Sequence, residues 1–77
     1  GLELHIAEYV TTEPKTRRVK YRYHLESADG ELVARWDNAP HHPDTRSFPD
    51  HQHSPVGVHS SPEMSIPTVL DALLKYI

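Results

Sequence analysis

The chain has no cysteine, so it can form neither a disulfide framework nor a thiolate metal site. The redox character of its compartment is therefore left open. No apolar run reaches membrane-spanning length, and no signal peptide is visible. There is no basic excess either. Eight Lys and Arg stand against eleven Asp and Glu, a formal charge of −3 with histidine neutral. That balance does not suggest a nucleic-acid binder that works by net charge. Apolar residues are scarce at 36%, even with tyrosine counted; ordinary domains reach about 45–50% on a set without it. So thin a core in so short a chain gives reason to expect a metal, a partner or a homo-oligomer. Repeats and low-complexity tails are absent, and residues 1–77 read as a single domain. The chain opens on Gly1 rather than Met, so the expectation is that a few native residues precede it.

Histidine and proline are plentiful. Protonating all seven histidines would add seven charges to −3 and make the total +4, because imidazole titrates near pH 6.5. Four of them, His41, His42, His51 and His53, fall between Arg35 and His53, together with Asp37, Asn38, Arg46 and Asp50. His59 follows closely. Pro40, Pro43 and Pro49 cut this stretch into short steps. Proline fixes φ and biases the preceding residue toward extended backbone. The stretch therefore reads as a stiff His-rich loop that holds polar side chains in set directions.

Around it the pattern is that of strands. Leu2, Leu4, Ile6 and Val10 alternate with Glu3, His5, Ala7 and Tyr9, with Glu8 the exception on the apolar side. Val19, Tyr21, Tyr23 and Leu25 alternate with Arg18, Lys20, Arg22, His24 and Glu26. Asp29-Gly30 is a hairpin signal, and Leu32 to Asp37 alternates again. An even-numbered hairpin loop sets Tyr21 and Tyr23 against Ala34 and Trp36, an aromatic core face. Lys20, Arg22, His24, Arg35 and Asp37 then share the other face. A three-residue loop with a glycine bulge would shift that parity. Val56 to His59 is a weak further strand. Ser65 is an N-cap, Pro67 lies in the first turn, and apolar residues at helical spacing predict a helix over Pro67 to Ile77. The fold expected is α+β: a small three- to four-stranded antiparallel sheet packed by one C-terminal helix, with the Pro/His-rich loop at its edge.

Two chemistries suit these residues. The first is RNA cleavage without a metal. It needs a base for the 2′-hydroxyl, an acid for the leaving oxygen and cations for the charge on phosphorus. His41, His42, His51, His53 and His24 are the candidate acids and bases. Lys20, Arg22, Arg35 and Arg46 are the candidate phosphate ligands. The second is a metal site, Zn2+ or another divalent ion such as Fe(II), on His51 and His53, with His42 or His41 and Asp37 or Asp50 to complete it. His51-x-His53 in extended chain puts both rings on one face. A structural use stands beside both: a loop histidine can satisfy buried backbone groups. Asp37-Asn38 would support the turn after the third strand. Trp36 should be core, and Phe48 should anchor the loop to the sheet.

The run from Tyr21 to His53 also resembles a known family. Trp36-Asp37-Asn38-Ala39-Pro40-His41-His42, followed by Phe48-Pro49-Asp50-His51-Gln52-His53, is similar to the paired motifs of the TumE-type toxins of prokaryotic toxin–antitoxin systems. The resemblance implies an intracellular, cytoplasmic toxin neutralised by a cognate antitoxin, commonly one with a helix-turn-helix domain. It implies RNA or the ribosome as the target. His41, His42, His51 and His53 are then the motif histidines, with Asp37 and Asn38 the polar pair and His24 and Arg35 flanking them.

Overall fold

The computed structural model describes residues 1–77. Five strands form one antiparallel sheet in sequence order. They are β1 (Leu2–Thr11), β2 (Arg17–Ser27), β3 (Leu32–Asp37), β4 (His51–Ser54) and β5 (Gly57–Ser60), followed by helix α1 (Ile66–Leu73). The sheet thus has one strand more than the three or four expected. The reason is β4. Its sequence, His-Gln-His-Ser, has no apolar residue to announce a strand, yet it pairs with β3 on one side and β5 on the other.

The β2–β3 hairpin resolves the question of parity. Gly30 takes a left-handed φ of 85°, which glycine adopts without steric cost. The Gly30 N–H donates to Ser27 O at 2.9 Å, and the Ser27 N–H donates to Glu31 O at 2.9 Å. This is the three-residue loop that would shift the faces. A bulge then restores them: Glu26 faces Leu32 but Leu25 faces Ala34, leaving Val33 as the extra residue. Tyr23 lies opposite Trp36 and His24 opposite Arg35, as an even loop would have placed them.

A second bulge corrects the reading of β2. Tyr9 pairs with Lys20 but Val10 pairs with Arg18, so Val19 is unpaired and the faces swap there. Val19 is exposed. Arg18 lies instead on the aromatic side, its guanidinium 4.3 Å from the Tyr21 ring centroid and donating to the Tyr23 hydroxyl at 2.7 Å. Glu8, the break in the β1 pattern, accepts the Tyr23 hydroxyl proton at 2.5 Å. Burial, then that bond to Glu8, pushes the Tyr23 hydroxyl up to about 12.

The core is small: Tyr21, Tyr23, Ala34, Trp36, Met64 and Val69, with Leu4 and Ala72 against it. Helix α1 contributes Val69 as its one buried residue. The Ser65 N–H donates to Thr68 Oγ1 at 2.7 Å, closing its first turn. It ends four residues short of the predicted Ile77. Lys75 and Tyr76 donate to carbonyls three residues back, at 3.1 and 2.9 Å, the tightening of a last turn. Leu74 and Ile77 are exposed, so no packing extends the helix further. The helix covers one face of the sheet and leaves the other open.

Candidate functional site on the open face of the sheet

The open face is ordered by register. Strand side chains alternate between faces, and the pairings align two rows across the strands. One row runs His5, His24, Arg35, His53. The next runs Ala7, Arg22, Asp37, His51, Ser60. Most of the predicted polar residues therefore meet on one surface, though they come from three strands. His51 and His53 are strand residues, not loop residues as expected. The loop proper is residues 38–50.

That loop is tied down at three points. Asn38 accepts the Tyr21 N–H at 3.0 Å and donates to Val19 O at 3.2 Å. It thereby satisfies the backbone of β2 where β3 has ended. The Tyr21 hydroxyl donates to Asp50 at 2.6 Å and accepts the Met64 N–H at 3.3 Å. Burial and that bond to Asp50 raise the Tyr21 hydroxyl well above the ordinary phenol range. The Ser47 hydroxyl donates to Asp50 O at 2.6 Å and accepts the Ser61 N–H at 2.9 Å. Phe48 is not the anchor expected of it: it is exposed, and polar bonds perform that role.

At one end of the rows a centre forms from Asp37, His42, His51 and His53. Asp37 and His51 are buried. The Asp37 Oδ1 lies 3.0 Å from His51 Nε2, and its Oδ2 lies 3.4 Å from His53 Nε2. The two Nε2 atoms are themselves 3.0 Å apart. His42 reaches in from the loop, its ring centroid 5.0 Å from that of His51 and 5.5 Å from that of His53. Asp37 also accepts the Ala39 N–H at 2.9 Å, which supports the turn as predicted. Burial, followed by repulsion from His51, Arg35 and His42, holds the His53 ring below the ordinary imidazole range against the pull of Asp37.

Beside the centre, Arg35 Nε donates to His24 Nδ1 at 3.0 Å. His24 must therefore carry its proton on Nε2, which lies 3.2 Å from Glu26 Oε2. His5 Nε2 sits 3.0 Å from the other Glu26 oxygen. Arg22, His24, Glu26, Arg35 and His5 line a shallow depression of about 340 Å³. Lys20 lies just beyond, stacked over the Tyr9 ring at 5.1 Å. Two predicted residues are not gathered here. His41 is exposed in the turn and outside the three-histidine group. Arg46 lines a separate depression with Ser47, Ser60, Ser61 and Pro62. His5 and Glu26 belong to the surface but were not singled out from sequence. The alternation of β1 already put His5 on the polar side, and pairing with β2 would have matched it to His24.

No helix is long and apolar enough to cross a membrane. Comparison with curated proteins and with solved structures finds no match. The family model described as "Toxin TumE" matches residues 1–77, the full length given. The chain belongs to the TumE toxin family, and such a toxin implies a cognate antitoxin.

Proposed function

We propose that this toxin cuts RNA on the open face of the sheet, and acts in the cytoplasm. The observation that carries the reading is the adjacency of two arginines to the Asp37–His42–His51–His53 centre in consecutive rows of one surface. Arg35 holds the non-bridging phosphate oxygens through its free guanidinium nitrogens, and Arg22 assists from the next row. The centre takes the proton of the 2′-hydroxyl. The 2′-oxygen bonds to phosphorus, and the bond from phosphorus to the 5′-oxygen breaks. The departing oxygen takes a proton from water. The products are a 2′,3′-cyclic phosphate and a 5′-hydroxyl. His24 has both ring nitrogens engaged, so in this scheme it is a positioning residue that aims Arg35. Asn38 and Asp50 hold the loop. The cognate antitoxin, with a helix-turn-helix domain, silences the toxin by covering this face.

The test is incubation of the purified chain with end-labelled RNA and with the same RNA carrying one 2′-deoxy residue at the cut. Cyclic phosphate ends, and protection by the single deoxy residue, are the expected results. Intact RNA under all conditions, with binding to RNA or ribosomes retained, would replace the enzyme by a module that inhibits through occupancy.

A further inference from the structure

We infer that Asp37, His42, His51 and His53 bind one divalent transition-metal ion of the zinc class. The argument begins with a carbonyl. His51 Nδ1 lies 2.9 Å from Pro49 O, and a carbonyl oxygen only accepts, so Nδ1 carries the proton. In the neutral ring Nε2 is then a lone pair. It faces Asp37 Oδ1 at 3.0 Å and His53 Nε2 at 3.0 Å. Such an array repels itself unless a cation sits within it. A single proton bridges only one pair of these atoms. A metal ion satisfies them together.

The spacing agrees. Zinc binds imidazole nitrogen at about 2.0–2.1 Å, so neighbouring donors of a tetrahedron lie about 3.3–3.4 Å apart. His51 Nε2 lies 3.0 Å from both His53 Nε2 and Asp37 Oδ1, so these pairs need only a few tenths of an ångström of adjustment; the 3.4 Å contact of His53 is to the other Asp37 oxygen. The donor atoms of His42, His51 and His53 lie within 4.8 Å of one another and form one ligand set, which Asp37 joins through His51 and His53. The bond from His51 to Pro49 O is the outer-shell partner that metal-bound histidines use to fix the ring. Imidazole and carboxylate without thiolate suit zinc and its first-row neighbours rather than magnesium or calcium. The binding stands on this geometry alone. Its use rests on the RNA reading: by expanding to a fifth position the ion would supply a bound hydroxide, which accepts the 2′-hydroxyl proton and becomes water.

The experiment uses the full chain stripped with a chelator, then titrated with Zn2+ against a competing dye and with Co2+ followed by visible absorption. One equivalent per chain is expected, with proton release. Affinity should fall by about 10–100-fold or more in Asp37→Asn and His42→Ala. It should stay unchanged in His5→Ala, which alters the separate Glu3–His5–Glu26 group. Zn2+ should also move the ring 15N signals of His51 and His53 in the unsubstituted chain, a readout independent of whether any variant folds. The inference is overturned if no stoichiometric binding occurs at micromolar metal, if His42→Ala binds like the parent, or if His5→Ala is the variant that loses the ion. Binding without RNA cleavage overturns the RNA reading and leaves the ion. Cleavage by the stripped chain, with no ion bound, overturns the ion's part in the chemistry and leaves the RNA reading.

Discussion

Asp37 is the residue through which the site and the fold depend on each other, and two substitutions separate its roles. Asp37→Ala removes the acceptor for the Ala39 N–H and the carboxylate facing His51 and His53. The buried His51 then keeps no anionic neighbour at Nε2. The stranded Ala39 N–H costs about 1–3 kcal/mol. A chain of this length has a total stability on the order of 4–11 kcal/mol, so the variant should melt clearly below the parent. Asp37→Asn keeps an acceptor for Ala39 and offers the histidine lone pairs a neutral donor. With the ion stripped it sets a donor where a carboxylate faced those lone pairs, so it should cost nothing and gain up to about 1 kcal/mol. In a domain of this size that leaves Tm level with the parent or raises it by up to about 8 °C. The assay is thermal unfolding by circular dichroism with chelator present throughout, so that bound metal does not enter the comparison. If Asp37→Ala melts within about 2 °C of the parent, or Asp37→Asn melts as low as Asp37→Ala, Asp37 does not hold the turn and the histidines as drawn here.

Other consequences follow from single contacts. Tyr23→Phe removes the hydroxyl bonded to both Arg18 and Glu8, which keep only a direct contact at 3.5 Å. The folded-state value of about 12 is above the ordinary phenol value of 10.0, so this stabilisation is present below pH 10 and lost as pH rises through about 12. Alkaline unfolding curves should therefore be steeper over that window in the parent than in Tyr23→Phe. Asn38→Ala strands the Tyr21 N–H and Val19 O and should cost about 1–3 kcal/mol in denaturant unfolding; an unchanged midpoint would show that the loop does not need this tie. Arg46→Gln should cleave RNA like the parent, since Arg46 lines a different depression. A loss comparable to that of an arginine on the open face would bring the loop side into the substrate path.

The sequence revealed most where alternation and burial coincide. The aromatic face of Tyr21, Tyr23, Ala34 and Trp36 was readable because a one-residue slip would have exposed it. The Val33 bulge shows why the reading succeeded even though the loop has the other parity. The Val19 bulge was not readable: Arg18 and Val19 exchange faces, and nothing in Arg-Val-Lys marks the extra residue. Strand β4 was hidden for a related reason. Its inward residues are histidines, packed against a carboxylate rather than against apolar side chains, so the usual hydrophobic signal is missing. The same feature makes His51 and His53 a candidate site. Their convergence with His42 was readable only as a list of candidate donors, because the path of the loop from Asn38 to Asp50 depends on hydrogen bonds to β2 and to Met64 that no local pattern encodes.

The most direct test of the proposed RNA-cleaving surface is the single-turnover cleavage rate of Arg35→Gln beside the unsubstituted chain, at equal folded fraction by circular dichroism. Arg35 lies between His24 and His53 in one row and has no part in the apolar core. Loss of its fixed charge should lower the rate about 10²–10³-fold and leave the unfolding temperature nearly unchanged. Equal rates for the two proteins, or no cleavage by a folded parent chain, would contradict the account.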